Sequence, residues 1–140
     1  MRIIVAGGRG FFGRTIIELL RDVGLAPLAA SRGPGTDIAF NVEDSASLRA
    51  VLQPGDIVID TVGPFQDRST VLVEAAIEIG FDCVDLSDSI AYARKVWDLK
   101  PRIDAAGVRV LTACSAMSAI SAALVRHSGI TEPVRVTGFI

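Results

Sequence analysis

Met1-Arg-Ile-Ile-Val-Ala-Gly-Gly-Arg-Gly-Phe-Phe-Gly13 decides the fold, because a short apolar run empties straight into a glycine cluster. Ile3, Ile4, Val5 and Ala6 read as a strand buried on both faces. Gly8, Gly10 and Gly13 fit a GxGxxG spacing, Gly7, Gly10 and Gly13 fit GxxGxxG, and both spacings need the same chain path. One glycine makes the tight turn out of the strand, Gly10 lets another group approach the backbone, and Gly13 lets the next helix pack closely. That helix is expected from Phe11 to Val23, with Phe12, Ile16, Leu19, Leu20 and Val23 at helical spacing and Gly24 as its stop. A strand near Leu25 to Ser31 then completes a βαβ unit. Free amides at the helix start suit the phosphates of a dinucleotide. A purely structural turn is the competing reading, and the strand before and helix after favour the nucleotide.

Working outward, strands and helices alternate along the chain, which is the pattern of a doubly wound sheet. Six strands are expected, at Arg2–Ala6, Leu25–Ser31, Asp37–Phe40, Asp56–Thr61, Phe81–Asp85 and Val108–Thr112. They form a mostly parallel six-stranded α/β sheet of the Rossmann type, with helices on both faces. Helices fill the gaps. Ser45–Leu52 starts on an Asp44 or Ser45 cap, and Ser69–Ile79 turns Val71, Leu72, Ala75, Ala76 and Ile79 to one face. Pro101 should split the helical stretch Ile90–Ala106, and a last helix covers about Met117–His127. Pro133 to Ile140 reads as a strand that stops in mid-pattern. Residues 1–130 are therefore taken as the nucleotide-binding domain, and 131–140 as the start of a further substrate or dimerisation domain, with an edge strand or a homodimer contact as the other reading.

Bulk composition narrows the function classes. A chain of 140 residues, half of them hydrophobic, can bury a core of its own. Net charge is −2 and no Lys or Arg stripe occurs, which argues against nucleic acid as a partner. Val110 to Val125, uncharged over 16 residues, is too short and too rich in Ser and Thr to span a bilayer, so no membrane role and a cytoplasmic location are expected. Cys83 and Cys114 match neither a redox pair nor a zinc pattern and read as reduced core thiols. With a single histidine, a metal site is hard to build.

The end of the second strand discriminates between nucleotides. An acid there would bind the adenosine ribose and repel a 2′-phosphate, whereas an arginine accommodates that phosphate. The segment runs Ala29-Ala-Ser-Arg-Gly33, and no acid lies between Asp22 and Asp37. Ser31 and Arg32, with Arg9 from the glycine loop, favour NADP(H) over NAD(H). Asn41 and Val42 follow the third strand, where an adenine edge would be met.

Four stretches carry a resemblance to a known family. They are Gly8-Arg-Gly-Phe-Phe-Gly13, Asp60-Thr-Val-Gly-Pro-Phe65, Ala75 through Val84-Asp-Leu-Ser-Asp88, and Ala106-Gly-Val-Arg-Val-Leu-Thr-Ala-Cys-Ser115. In order, they resemble the NADP-binding domain of saccharopine dehydrogenase-like proteins. The resemblance implies hydride transfer with NADP(H), a nicotinamide near the turn of Val62, Gly63 and Pro64, and a longer second domain holding much of the substrate site. Together with the residues read above, the expected cofactor site takes in Gly7, Gly8, Arg9, Gly10, Phe11, Phe12, Gly13, Ser31, Arg32, Asn41, Val42, Thr61, Val62, Gly63 and Pro64. Its crevice would also be lined by the turns Asp85–Asp88 and Thr112–Ser115, outside the carboxyl ends of the strands. Pro64 and Phe65 can wall the nicotinamide or simply make a rigid turn. Asp85 and Asp88 can meet a substrate or, as the simpler reading, cap the next helix. Cys114-Ser-Ala-Met-Ser118 stands where the family often has Pro-Gly, a departure from a saccharopine site.

Other readings lack their residues. A serine hydrolase would need a Gly-x-Ser-x-Gly elbow after a strand, and His127 sits near a helix end. Epimerases and extended reductases share the glycine spacing but bring Tyr-x-x-x-Lys, and Tyr92 is followed by Val96. No residue stands out as a catalytic acid or base, so a sensor that binds NAD(P)H without chemistry remains the alternative to an oxidoreductase.

Overall fold

The computed structural model describes residues 1–131, without the side chains of Met117 and Ser118. The expected strand at Pro133–Ile140 lies outside the described residues. Six strands, β1 (Ile3–Ala6), β2 (Pro27–Ser31), β3 (Ile38–Ala39), β4 (Ile57–Asp60), β5 (Asp82–Asp85) and β6 (Val110–Leu111), form one sheet in the order β3-β2-β1-β4-β5-β6. Every pairing is parallel, with Ile3 opposite both Pro27 and Ile57. The strand order therefore reverses between β1 and β4, and a crevice opens at the carboxyl ends beside such a switch point.

Helices α1 (Phe11–Asp22), α2 (Ser45–Val51), α3 (Val71–Ile79), α4 (Ile90–Asp98) and α5 (Lys100–Ala106) lie between strands, and α6 (Ala116–His127) follows β6. Asp44 caps α2 by accepting from the amides of Ala46 and Ser47. Pro101 stands in the first turn of α5, and the break from α4 falls at Leu99 as its ring requires. Ile4, Leu48, Val58, Leu72 and Phe81 are almost wholly excluded from water in the main core, while Phe65, Val73, Tyr92 and Val96 form a second cluster under α4 and α5. Helix α3 serves both clusters, so its burial spreads beyond the single face read from the sequence: Val73 is buried and Val71 and Ile79 are only partly so.

Helix α1 departs from the expected face. Gly13 and Ile17 are the residues it buries, whereas Phe12, Leu19 and Val23 are 60% or more exposed. The cause is the glycine loop. Gly13 must sit against the strand exit, and this rotates the helix about that contact rather than about its bulkiest residues. A Cβ at Gly13 would lie 2.2 Å from the carbonyl oxygen of Gly7.

Candidate nucleotide cleft and the turn beside it

Gly7 leaves β1 at φ +77°, where a side chain is strained and where its Cβ would meet Thr61 Oγ1 at 2.6 Å. Thr61 Oγ1 in turn donates to the Ala6 carbonyl at 2.8 Å, so the glycine loop and the end of β4 are fastened together. The loop closes on itself through Gly10 N donating to Gly7 O at 2.7 Å. Gly10 is the α1 N-cap and brings no capping side chain; the amides of Phe11, Phe12 and Gly13 open the helix with no acceptor among the described residues. An uncapped helix start beside a glycine cradle is where an anion is held by N–H groups and the helix dipole.

Beside this cradle lies a cleft of about 540 Å³ along the ends of β1, β2, β3 and β4. Of the sequence-predicted residues, all but Gly8, Phe11, Phe12 and Gly13 line it. Gly8 packs on Ala29, and Phe11 is 83% exposed with its ring edge-on to Phe12. Arg9 reaches across to donate to the Pro34 carbonyl at 3.0 Å, beside the exposed Arg32. Arg32 makes no ion pair or hydrogen bond among the described residues. The nearest acid in sequence, Asp37, is engaged with the amide of Ala29 at 2.8 Å. Asn41 uses its Oδ1 to hold the Glu43 amide, and Val42 is buried in the core.

A second cleft of about 540 Å³ continues over β4, β5 and β6 and shares Thr61, Gly63 and Pro64 with the first. Phe12, Phe65, Leu86, Asp88, Cys114 and Ser115 are among its walls. The turns expected to line the crevice are thus brought together.

On the wall of the first cleft, which includes Glu43, Val62 and Arg68, lies a charge network the sequence reading missed. Arg68 is 5% exposed and donates to Asp60 Oδ2 at 2.9 Å, to the Val62 carbonyl at 2.6 Å and to Glu43. Asp60, wholly buried, accepts from the Val62 amide through its other oxygen at 2.9 Å. Both backbone polar groups of Val62 are therefore pinned by one ion pair, just before the cis Gly63–Pro64 bond. Glu43 also accepts from Ser69 Oγ at 2.5 Å, tying the loop after β3 to the start of α3. Burial pushes the Asp60 carboxyl up, against the pull of Arg68 and the Val62 amide. No local motif announces this network, since Asp60 ends β4 while Arg68 and Glu43 come from two separate loops.

The model of the saccharopine dehydrogenase NADP-binding domain matches residues 3–111, from β1 through β6. The chain belongs to that family. Two curated relatives are similar to it: a lipid droplet localized protein of Caenorhabditis elegans, 29% identical over 80% of this chain and 32% of that protein, and a trans-acting enoyl reductase of Mycobacterium leprae (strain TN), 28% identical over 80% of this chain and 31% of that one. The chain spans about a third of the length of these relatives. Among solved structures, the UDP-N-acetylglucosamine 4-epimerase of Bacillus cereus superposes with a TM-score of 0.55 at 16% identity, covering 79% of this chain and 58% of that one. The UDP-glucose 4-epimerase of Thermus thermophilus, in complex with NAD, gives 0.52 at 14%, covering 79% and 53%. These two share the fold.

Within this saccharopine dehydrogenase-family domain the epimerase pattern fails physically as well as in sequence, because Tyr92 is 1% exposed and its hydroxyl is pushed far up by burial and by Asp85. Two expectations need correcting. Ser89, not Asp85 or Asp88, caps α4 by accepting from the Tyr92 amide at 3.3 Å. Asp85 instead accepts from the amides of Ser87 and Ala113, both at 3.0 Å, and so ties the turn after β5 to the turn after β6. Cys114 is exposed, unlike the buried Cys83, because it lies past the end of β6 on the cleft rim. His127 is the exposed last residue of α6. Among the described residues no helix is long and apolar enough to cross a membrane.

Proposed function

We propose that this domain binds NADP(H) across the first cleft and serves an oxidoreductase in which residues 1–130 hold the cofactor and the chain from 131 onward leads into the part that completes the substrate site. The observation that carries the reading is the pairing of an uncapped α1 N-terminus in a glycine cradle with an unengaged Arg32 at the end of β2. The pyrophosphate would rest on the loop of Gly7, Gly8 and Gly10 against the first amides of α1. Ser31, Arg32 and Arg9 would take the 2′-phosphate, since among the described residues Asp37 is engaged by the Ala29 amide and Glu43 by Arg68 and Ser69. Asn41 and Val42 would border the adenine. Thr61, Val62, Gly63 and Pro64 would border the nicotinamide.

When bound, NADP(H) supplies the hydride; the protein supplies placement. Thr61 holds the glycine loop to β4, and the Asp60–Arg68 pair fixes the backbone of Val62, so this stretch is a rigid wall rather than a source of free amides. Calorimetric titration of Gly13→Ala tests the cradle. A Cβ there collides with backbone, so NADPH binding should fall at least tenfold while the far-ultraviolet circular dichroism stays native. Unchanged affinity would remove the glycine loop from the site.

A further inference from the structure

Among the described residues, the second cleft has apolar walls and no cation. Phe12, Pro64, Phe65 and Leu86 supply hydrocarbon surface, and no Arg, Lys or His stands among the described residues that line it. Asp88 is the one charged group among the described residues that line it, and it is exposed, with neither a hydrogen bond nor an ion pair among those residues. A further acidic group stands at the end of β5: Asp85 is 1% exposed, and its Oδ2 has no partner among the described residues. Arg68, whose guanidinium lies 5.5 Å from the centre of the Phe65 ring, is already committed to Asp60, Glu43 and the Val62 carbonyl. The thiol on the rim, Cys114, carries no positive charge in either ionisation state, so it adds no countercharge.

We propose that this cleft takes an uncharged, largely apolar ligand beside the cofactor, and that Asp88 makes it reject carboxylates. A carboxylate entering here would shed water without gaining a countercharge and would face acidic groups instead. Hydrocarbon, by contrast, gains from covering the walls, in proportion to the area it removes from water. The inference rests on the cofactor reading of the first cleft, because the shared Thr61, Gly63 and Pro64 are what put this second cleft next to the reacting end of the dinucleotide.

The test is calorimetric titration of the chain, with and without NADPH, using three probes of one chain length: 2-decanone, decanoate and decylammonium. The ketone should bind saturably to the NADPH-loaded chain and decanoate at least about tenfold more weakly, the size expected of one partly screened charge a few ångströms away. Asp88→Asn, a change at an exposed side chain, should narrow that gap without altering NADPH affinity. Decanoate bound as tightly as the ketone, or decylammonium bound more tightly than it, would overturn the assignment. So would a chain that takes NADPH and no ketone. If the ketone is preferred while NADPH does not bind, the charge selectivity stands and the cofactor reading falls.

Discussion

Strand β4 is flanked by an aspartate at each end, and each meets an arginine, yet the two pairs differ in sign. At the amino end Asp56 takes Arg2 Nε at 2.9 Å and Nη2 at 2.5 Å, plus the Gln53 amide at 2.9 Å. Burial opposes its ionisation, but these partners more than offset it, and the carboxyl is held below the ordinary aspartate value. At the carboxyl end Asp60 has comparable partners and is pushed up instead. The difference is solvent. The Arg2 side chain keeps 32% of its surface in water, whereas Arg68 keeps 6% and Asp60 none, so both members of the upper pair are desolvated. A buried pair of that kind is a costly way to stabilise a fold. Its return lies in geometry: it fixes the turn between the two clefts, while the lower pair simply latches the closed end of the sheet.

The largest effect should come from breaking the upper pair on one side. Arg68→Met leaves Asp60 buried without its cation and is expected to cost about 3–5 kcal/mol in denaturant unfolding, with most of it recovered when Asp60→Asn is added. A loss no greater than that of Arg2→Met would erase the contrast. Arg2→Met itself should cost about 1–2 kcal/mol, because water still reaches that end and Gln53 still serves Asp56. Acid sharpens the comparison further. The Asp56 pKa is depressed in the folded chain, so its contribution is complete above the ordinary value of 3.8 and is lost as pH falls through the folded one. Asp60, raised on folding, works the other way, its cost easing as it takes up a proton. Asp56→Asn should therefore flatten the acid decline of stability and Asp60→Asn should leave it in place. Smallest of all, Glu43→Gln should cost less than about 1 kcal/mol, since Glu43 is 37% exposed.

The same contrast explains what was legible in the sequence. Gly7, Gly10 and Gly13 lie close together in the chain, so their spacing alone specifies the loop, and the alternation of strands with helices, Gly24 stopping the first of them, specifies the sheet. Pro101 could be placed because its ring excludes only a few positions. Arg68 could not, since its partners come from 6, 8 and 25 residues away and are selected by packing. The buried face of α1 was misread for a related reason: Phe12, Leu19 and Val23 look like a core stripe, but the close approach of Gly13 to Gly7 sets the helix rotation before bulk does. Cys114 reads as a core thiol by composition, and only the position of β6 shows that it stands on a rim. Asp85 and Ser89 both suit a helix cap by residue type, and the turn geometry chose Ser89.

The central claim is that the first cleft recognises NADP(H) through Arg32. Calorimetric titration of the chain and of Arg32→Asp with NADPH and NADH at modest salt tests it most directly. The account predicts tighter NADPH binding by the native chain and, in the variant, a loss of about tenfold to a hundredfold for NADPH with NADH little changed. Equal losses for both nucleotides would contradict it.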